Sequence, residues 1–437
     1  MTPDELARSL VSGRGNAVLY LQTHDAAPYR AVILNACLHC VAFDPQFNGD
    51  RADYLFEIIQ LTSELPFYRA QIFAALPATS DEYYDKLQLF DLVGRFAAHG
   101  DEEARDLLYS TYTASLTDAD GASGDGAIID LDRVQGFLFV ADALGKLLVP
   151  DNIDNGDDMP VVSLKERVPD ADLTAIRAQA ERDQPYVAAY IARIQAQAER
   201  REQYQRAQAQ AEAVPSSFDE LESLFATEIG KRYSSKLVRW GKRAPEEERR
   251  KAAEALLIET DPARQTAYAR LFQRVSFPLD PAKLVEMAES GDDTLMRAAI
   301  NAIGVMQRPD IRALALRLLN VPQWGYHAGK LLITNHEDGD EKLIESALIA
   351  RLSDEEAFHG LGLSALEFFQ TYPKPENIPA LTLLYTYNPC SNCRSSCVDL
   401  LIAFDAFAEW MNAECLHDGS PDVREQTREY LAARSAP

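Results

Sequence analysis

The chain reads as an all-α protein built from stacked helical hairpins, and three observations predict it. Residues 280–320 alternate helix-forming runs with two short turns, Gly291-Asp292-Asp293 and Arg308-Pro309-Asp310. Within them Leu284, Val285 and Ala288, then Leu295, Ala298, Ala299 and Ile303, recur at three- and four-residue intervals, which places apolar side chains on one stripe of each helix. The composition agrees: 47% of the 437 residues are hydrophobic and 25% charged, with long Ala, Leu, Gln and Glu runs, so helix formers dominate and almost no sheet is expected.

At the N-terminus, Thr2, Pro3 and Glu5 supply a capping hydroxyl, a first-turn proline and a carboxylate three residues on. Asp4 and Glu5, with no apolar run of signal-peptide length after them, argue against a secretory leader, and nowhere do eighteen apolar residues follow one another. The expectation is a cytoplasmic protein with no membrane partner. Residues 1–150 form a repeat-like helical array, punctuated by Asp44-Pro45, Leu65-Pro66, Leu76-Pro77 and His99-Gly100-Asp101, because proline removes a backbone donor and restricts its predecessor. A loop is expected over 117–127, an apolar helix over 131–148, and a second loop over 150–160. Residues 151–213 comprise that acidic loop and a long connector; its helix over 184–213 would span roughly 45 Å, with Val187, Tyr190, Ile191 and Ile194 as its apolar stripe. A basic helical segment, 214–276, then leads into a C-terminal array, 277–437.

Charge is unevenly spread. The net value is −25, yet residues 176–275 carry 18 bases against 15 acids and are the one stretch in this division with a basic balance. A chain this acidic disfavours nonspecific binding to a polyanion such as nucleic acid.

In the C-terminal array GDDTLMRAAINAIG (291–304), RPDIRALALRLL (308–319) and SPDVREQTREYLAA (420–433) share an acidic turn, an aliphatic residue, an Arg and then a helix, and GDEEARDLLYSTY (100–112) echoes them. The Asp can cap a helix N-terminus, where backbone donors lack partners, and the Arg can bridge to the acidic cap of the adjacent repeat. The pattern resembles the HEAT-repeat superfamily, with Asp310 and Asp422 about three units of ~40 residues apart. The resemblance implies an α-solenoid, two arrays joined by a long helix, with a concave face; that superfamily hosts scaffolds, transport factors, DNA glycosylases and bilin lyases.

Two segments are candidates for binding. KRYSSKLVRWGKR (231–243) aligns Arg232, Lys236, Arg239 and Arg243 as a basic ridge beside Ile229, Tyr233, Leu237 and Trp240, a pattern that can hold phosphate or single strands or else pair with the protein's own carboxylates. WGYHAGKLLITNHEDGDE (324–341) gathers Trp324, Tyr326 and His327 around glycines, either as an inter-helix turn or as a reading surface on the inner rim. For metal, Cys390, Cys393 and Cys397 fall at i, i+3 and i+7 of one helix begun by Pro389, with Cys415 and His417 on the next, a spacing that equally describes buried core residues or a redox-sensitive thiol. Cys37, His39 and Cys40 suggest a metal or a nucleophile, but Ile33, Cys37, Cys40 and Val41 form an ordinary apolar face at i, i+4, i+7 and i+8, so core packing is the expectation. The Asp-rich 151–158 stretch fails as an EF-hand loop, since Ile153 and Val162 would occupy ligand positions. No phosphate-cradling Gly loop, His-Glu-x-x-His or serine elbow occurs, so no catalytic residue and no cofactor are assigned. The leading expectation is a non-catalytic protein-interaction scaffold that uses the concave face of a solenoid; the alternative is a nucleic-acid binder or enzyme that uses the 231–243 ridge.

Overall fold

The computed structural model describes all residues except 49–50, 79–81, 117–122, 149–156, 213–215 and 436–437. Most of the two expected loops, and the Asp-rich stretch up to 156, thus lie outside the described residues. Among those described there is no strand, and no helix is long and apolar enough to cross a membrane.

The chain divides into two compact units. The first comprises residues 1–205, 389–392 and 408–437; the second comprises 206–388 and 393–407. This replaces the four consecutive segments expected above: the C-terminal array does not stay together, because its last thirty residues pack with the N-terminal helices.

Local chemistry sets the helix starts. Thr2 closes a capping box with Glu5 ahead of Pro3–Ser12. Asp101, Asp261, Asp292 and Asp354 each cap a helix by accepting backbone N–H groups of its first turn. The partner Arg is also present. Arg69 forks onto the capping Asp101 at 2.6 and 2.9 Å, and Arg312 forks onto Asp340, in the first turn of Asp340–Ile349, at 2.7 and 2.8 Å. Asp310 departs from the expectation in position: it lies inside Pro309–Leu319, pairs with Arg308 at 3.0 Å, and accepts the Ile311 amide at 3.0 Å from within the first turn rather than from the N-cap position.

The expected long helix forms as Pro185–Glu212; its residues up to 205 belong to the first unit, where Val187, Tyr190, Ile191 and Ile194 are buried. The apolar helix expected over 131–148 belongs to a longer element, Asp125–Lys146, that kinks at Arg133, where φ is 53°. A side chain at Gly136 would collide with the Ile128 carbonyl, so the close approach of the two arms requires glycine. The end of the chain returns to its beginning: Arg14 pairs with Glu414 at 2.5 Å, the Gly419 amide donates to the Gly13 carbonyl, and Met411, Cys415 and Val423 are buried.

In the second unit, helices pack on the next but one along the chain. Pro262–Leu271 packs on Asp293–Ile303, that helix on Gly325–Thr334, and that on Glu355–Thr371. Leu295, Ala299 and Ile303 fill the core side of this stack, which leaves the opposite faces of the same helices to line a cavity.

Candidate anion site

The cavity lies wholly in the second unit and measures about 590 Å³. Pro262–Leu271 contributes Ala263, Thr266, Ala267 and Arg270, and Asp293–Ile303 contributes Thr294, Arg297, Ala298 and Asn301. Both sets fall at i, i+3, i+4 and i+7, one face of each helix. The alanines leave the space; the arginines and polar residues edge it. Residues 229–234, the turn before Ser235–Arg243, form another wall, and His327 arrives from Gly325–Thr334.

Charge is the distinguishing feature. Arg232, Arg270 and Arg297 line the cavity, no Asp or Glu does, and among the described residues none of the three arginines makes an ion pair. Many other cations of the same unit are matched by carboxylates. Lys231 and Lys236 reach Glu228 at 2.8 and 3.3 Å, and Lys231 with the Ser234 hydroxyl holds that buried carboxyl down at about 2. Arg264 pairs with Glu222 and Glu259, Arg308 with Asp310, Arg312 with Asp340, and Arg317 with Glu289, all between 2.6 and 3.0 Å.

The three arginines differ in task. Arg270 is 7% exposed and donates to the Lys231 and Arg232 carbonyls at 2.7 and 3.0 Å, so it fixes the turn and adds uncompensated positive charge from behind it. Burial lowers its pKa from the usual guanidinium range, as expected for a charge without a carboxylate partner. Arg232 and Arg297 are exposed at the cavity, Arg297 with its guanidinium 5.3 Å from the Trp324 ring centroid. His327 is 6% exposed, and its Nδ1 has no hydrogen-bond partner. Burial, then the neighbouring Arg297, push its pKa down to about 4, so the ring is neutral at pH 7.

The sequence candidates separate accordingly. Arg232 and His327 meet in this cavity; Lys236, Arg239, Trp240 and Arg243 line a second, more open recess with Glu220. Arg232 therefore does not continue the helical ridge, because Ser234 caps the helix and leaves Arg232 in the turn before it. Trp240 is buried and donates its indole N–H to the Ser217 carbonyl at 2.9 Å, which makes it a core residue and not a stacking platform. Trp324 is also buried, under Arg297; Tyr326 is partly exposed, 5.7 Å from the Lys330 ammonium, and does not line the cavity. The 324–334 segment is a helix with its 3-10 lead-in, and not an inter-helix turn.

All six cysteines are free thiols. Cys393 and Cys397 lie in Ser391–Ala403 within the second unit, whereas Cys390, just outside that helix, and Cys415 belong to the first. All four are buried, and the His417 Nδ1 is taken by Glu57 at 2.6 Å. The expected single-helix cysteine face is thus corrected: Pro389 and Cys390 precede the helix.

Arg270, Arg297 and Asn301 were not among the sequence candidates. The signal for Arg297 lay in its motif, GDDTLMR, whose Arg is the one expected to bridge to a neighbouring acidic cap. It makes no such bridge and turns to the cavity instead.

No family model, no curated protein and no solved structure matches this chain.

Proposed function

We propose that this protein binds a phosphate-bearing ligand in the cavity of its second unit. One observation carries the reading: three arginines without carboxylate partners converge on one concave, acid-free cavity. Two unpaired guanidiniums at a concave site give a planar, multi-donor fit to a phosphate group, and the low-dielectric wall strengthens the attraction over that on an open surface. Extended nucleic acid is the weaker form of this reading, since tracking a backbone needs a continuous cationic groove, and Lys231, Lys236, Arg264, Arg312 and Arg317 are occupied by carboxylates.

The next-but-one packing and the Asp-plus-Arg devices support a HEAT-like hairpin array as the scaffold for this site. A protein-interaction role for that array stays a second reading, favoured by the exposed Tyr204 on a helix whose residues 199–206 are all exposed.

Calorimetric titration of the full chain with inorganic pyrophosphate at low salt tests the anion reading. Saturable binding is expected, weakened at least tenfold by the pair Arg232→Ser and Arg297→Ser and little changed by Lys236→Ser. An absence of binding at low salt, or binding indifferent to the arginine pair, overturns it.

A further inference from the structure

A phosphate alone leaves most of this cavity empty. Its five heavy atoms occupy a small multiple of the ~30 Å³ taken by a water molecule, whereas about 590 Å³ is the size of site that encloses a small organic ligand. The rest of the lining indicates what accompanies the phosphate.

Besides the arginines, the walls carry neutral hydrogen-bonding groups: Thr294, Asn301 and Gln273, whose side chains bond to no other described residue, and the His327 ring. Tyr233 completes the lining. Its ring is 70% exposed although it stands beside the cavity, and neither its hydroxyl nor its ring engages any described residue. An aromatic face held bare next to an arginine pair suits a planar, hydrogen-bonding ring attached to a phosphate.

We propose that the cavity takes a nucleoside phosphate, with its phosphate between Arg232 and Arg297, its base on the Tyr233 ring, and its sugar or base edge bonded by Asn301, Gln273 and His327. This rests on the anion reading above and deepens it. A ribose phosphate satisfies the arginines and the neutral polar groups but leaves Tyr233 bare, so the aromatic ring separates the two ligand types.

Full-length protein titrated with AMP, ribose 5-phosphate, inorganic phosphate and adenosine provides the test. AMP is expected to bind at least tenfold more tightly than ribose 5-phosphate, in line with stacking contributions measured on aromatic side chains. Tyr233→Ala should erase that difference while leaving the affinity for inorganic phosphate within twofold, and because the ring is exposed the variant should melt as the parent does. The pair Arg232→Ser and Arg297→Ser should remove both phosphate ligands. Equal affinity for AMP and ribose 5-phosphate, or an AMP preference that survives Tyr233→Ala, overturns the nucleoside assignment and leaves the anion site standing. If inorganic phosphate, ribose 5-phosphate and AMP all fail to bind, the anion site falls and this assignment with it. A single-stranded oligonucleotide that binds with a salt dependence several times steeper than that of AMP overturns the mononucleotide in favour of a polymer.

Discussion

His327 shows most clearly how position alters a residue. An exposed imidazole titrates near 6.5; here burial holds the proton off until about pH 4. Between those values the unfolded chain binds a proton that the folded protein refuses, so stability falls as pH drops from 6.5 to 4 and is unaffected by this group above that range. The slope is about 1.4 kcal/mol per pH unit for one such group. Denaturant melts of the parent and His327→Gln across pH 7.5 to 4.5 should therefore diverge, the parent losing stability faster on acidification. Parallel curves would show that His327 titrates normally. Glu228 lies on the other side of the same rule. Its depressed pKa, near 2, makes it a stabilising group above its ordinary value of 4.5, and that contribution is lost only as pH falls toward 2.

At the scale of elements, fit between helices depends on a few contacts that a one-residue motif cannot specify. Arg312 forks onto Asp340, which is 1% exposed at the side chain, and also reaches Glu337 at 3.0 Å. Arg312→Leu would strand a buried carboxylate, and a loss of about 3 kcal/mol is expected in chemical denaturation. Arg312→Leu combined with Asp340→Leu should recover a good part of it, since removing both charges also removes the desolvation cost; a double variant as unstable as the single would assign the loss to packing. Helix existence was legible here, because three-and-four periodicity, Asp caps and proline stops act within a few residues. Asp292 caps as the sequence implies; Asp310, in the same motif, lies inside its helix, where it pairs with Arg308 and accepts the Ile311 amide. The kink at Arg133 had no local sign, as neither Gly nor Pro occupies the bend, and Gly136 reports it only through its contact with Ile128.

At the scale of the whole molecule, the informative finding is the return of residues 408–437 to the first unit. Arg14 and Glu414, 400 positions apart, meet at 2.5 Å with both side chains 13% exposed. Charge reversal at one partner, Arg14→Glu, should destabilise the first unit by about 2 kcal/mol, and the swap Arg14→Glu with Glu414→Arg should restore at least half of that, read from the thermal transition. No loss in the single variant would mean that burial of Met411, Cys415 and Val423 alone holds this segment in place. The pairing has no sequence signature, since SPDVREQTREYLAA reads as one more hairpin of the C-terminal array.

Taken by itself, the sequence determined the helical class, several helix starts and stops, the long polar helix at 185–212 and the basic bias of the middle region, because propensity, capping and periodicity are short-range effects. It also supplied two members of the cavity, Arg232 and His327, as separate candidates. Only the tertiary structure decided that these two line one space with Arg270 and Arg297, while Lys236 and Arg239 face another. The physical reason is that a cation's availability depends on which carboxylates folding brings within about 4 Å of it, and those partners come from anywhere along the chain. Composition counts charges; packing decides which of them remain uncompensated.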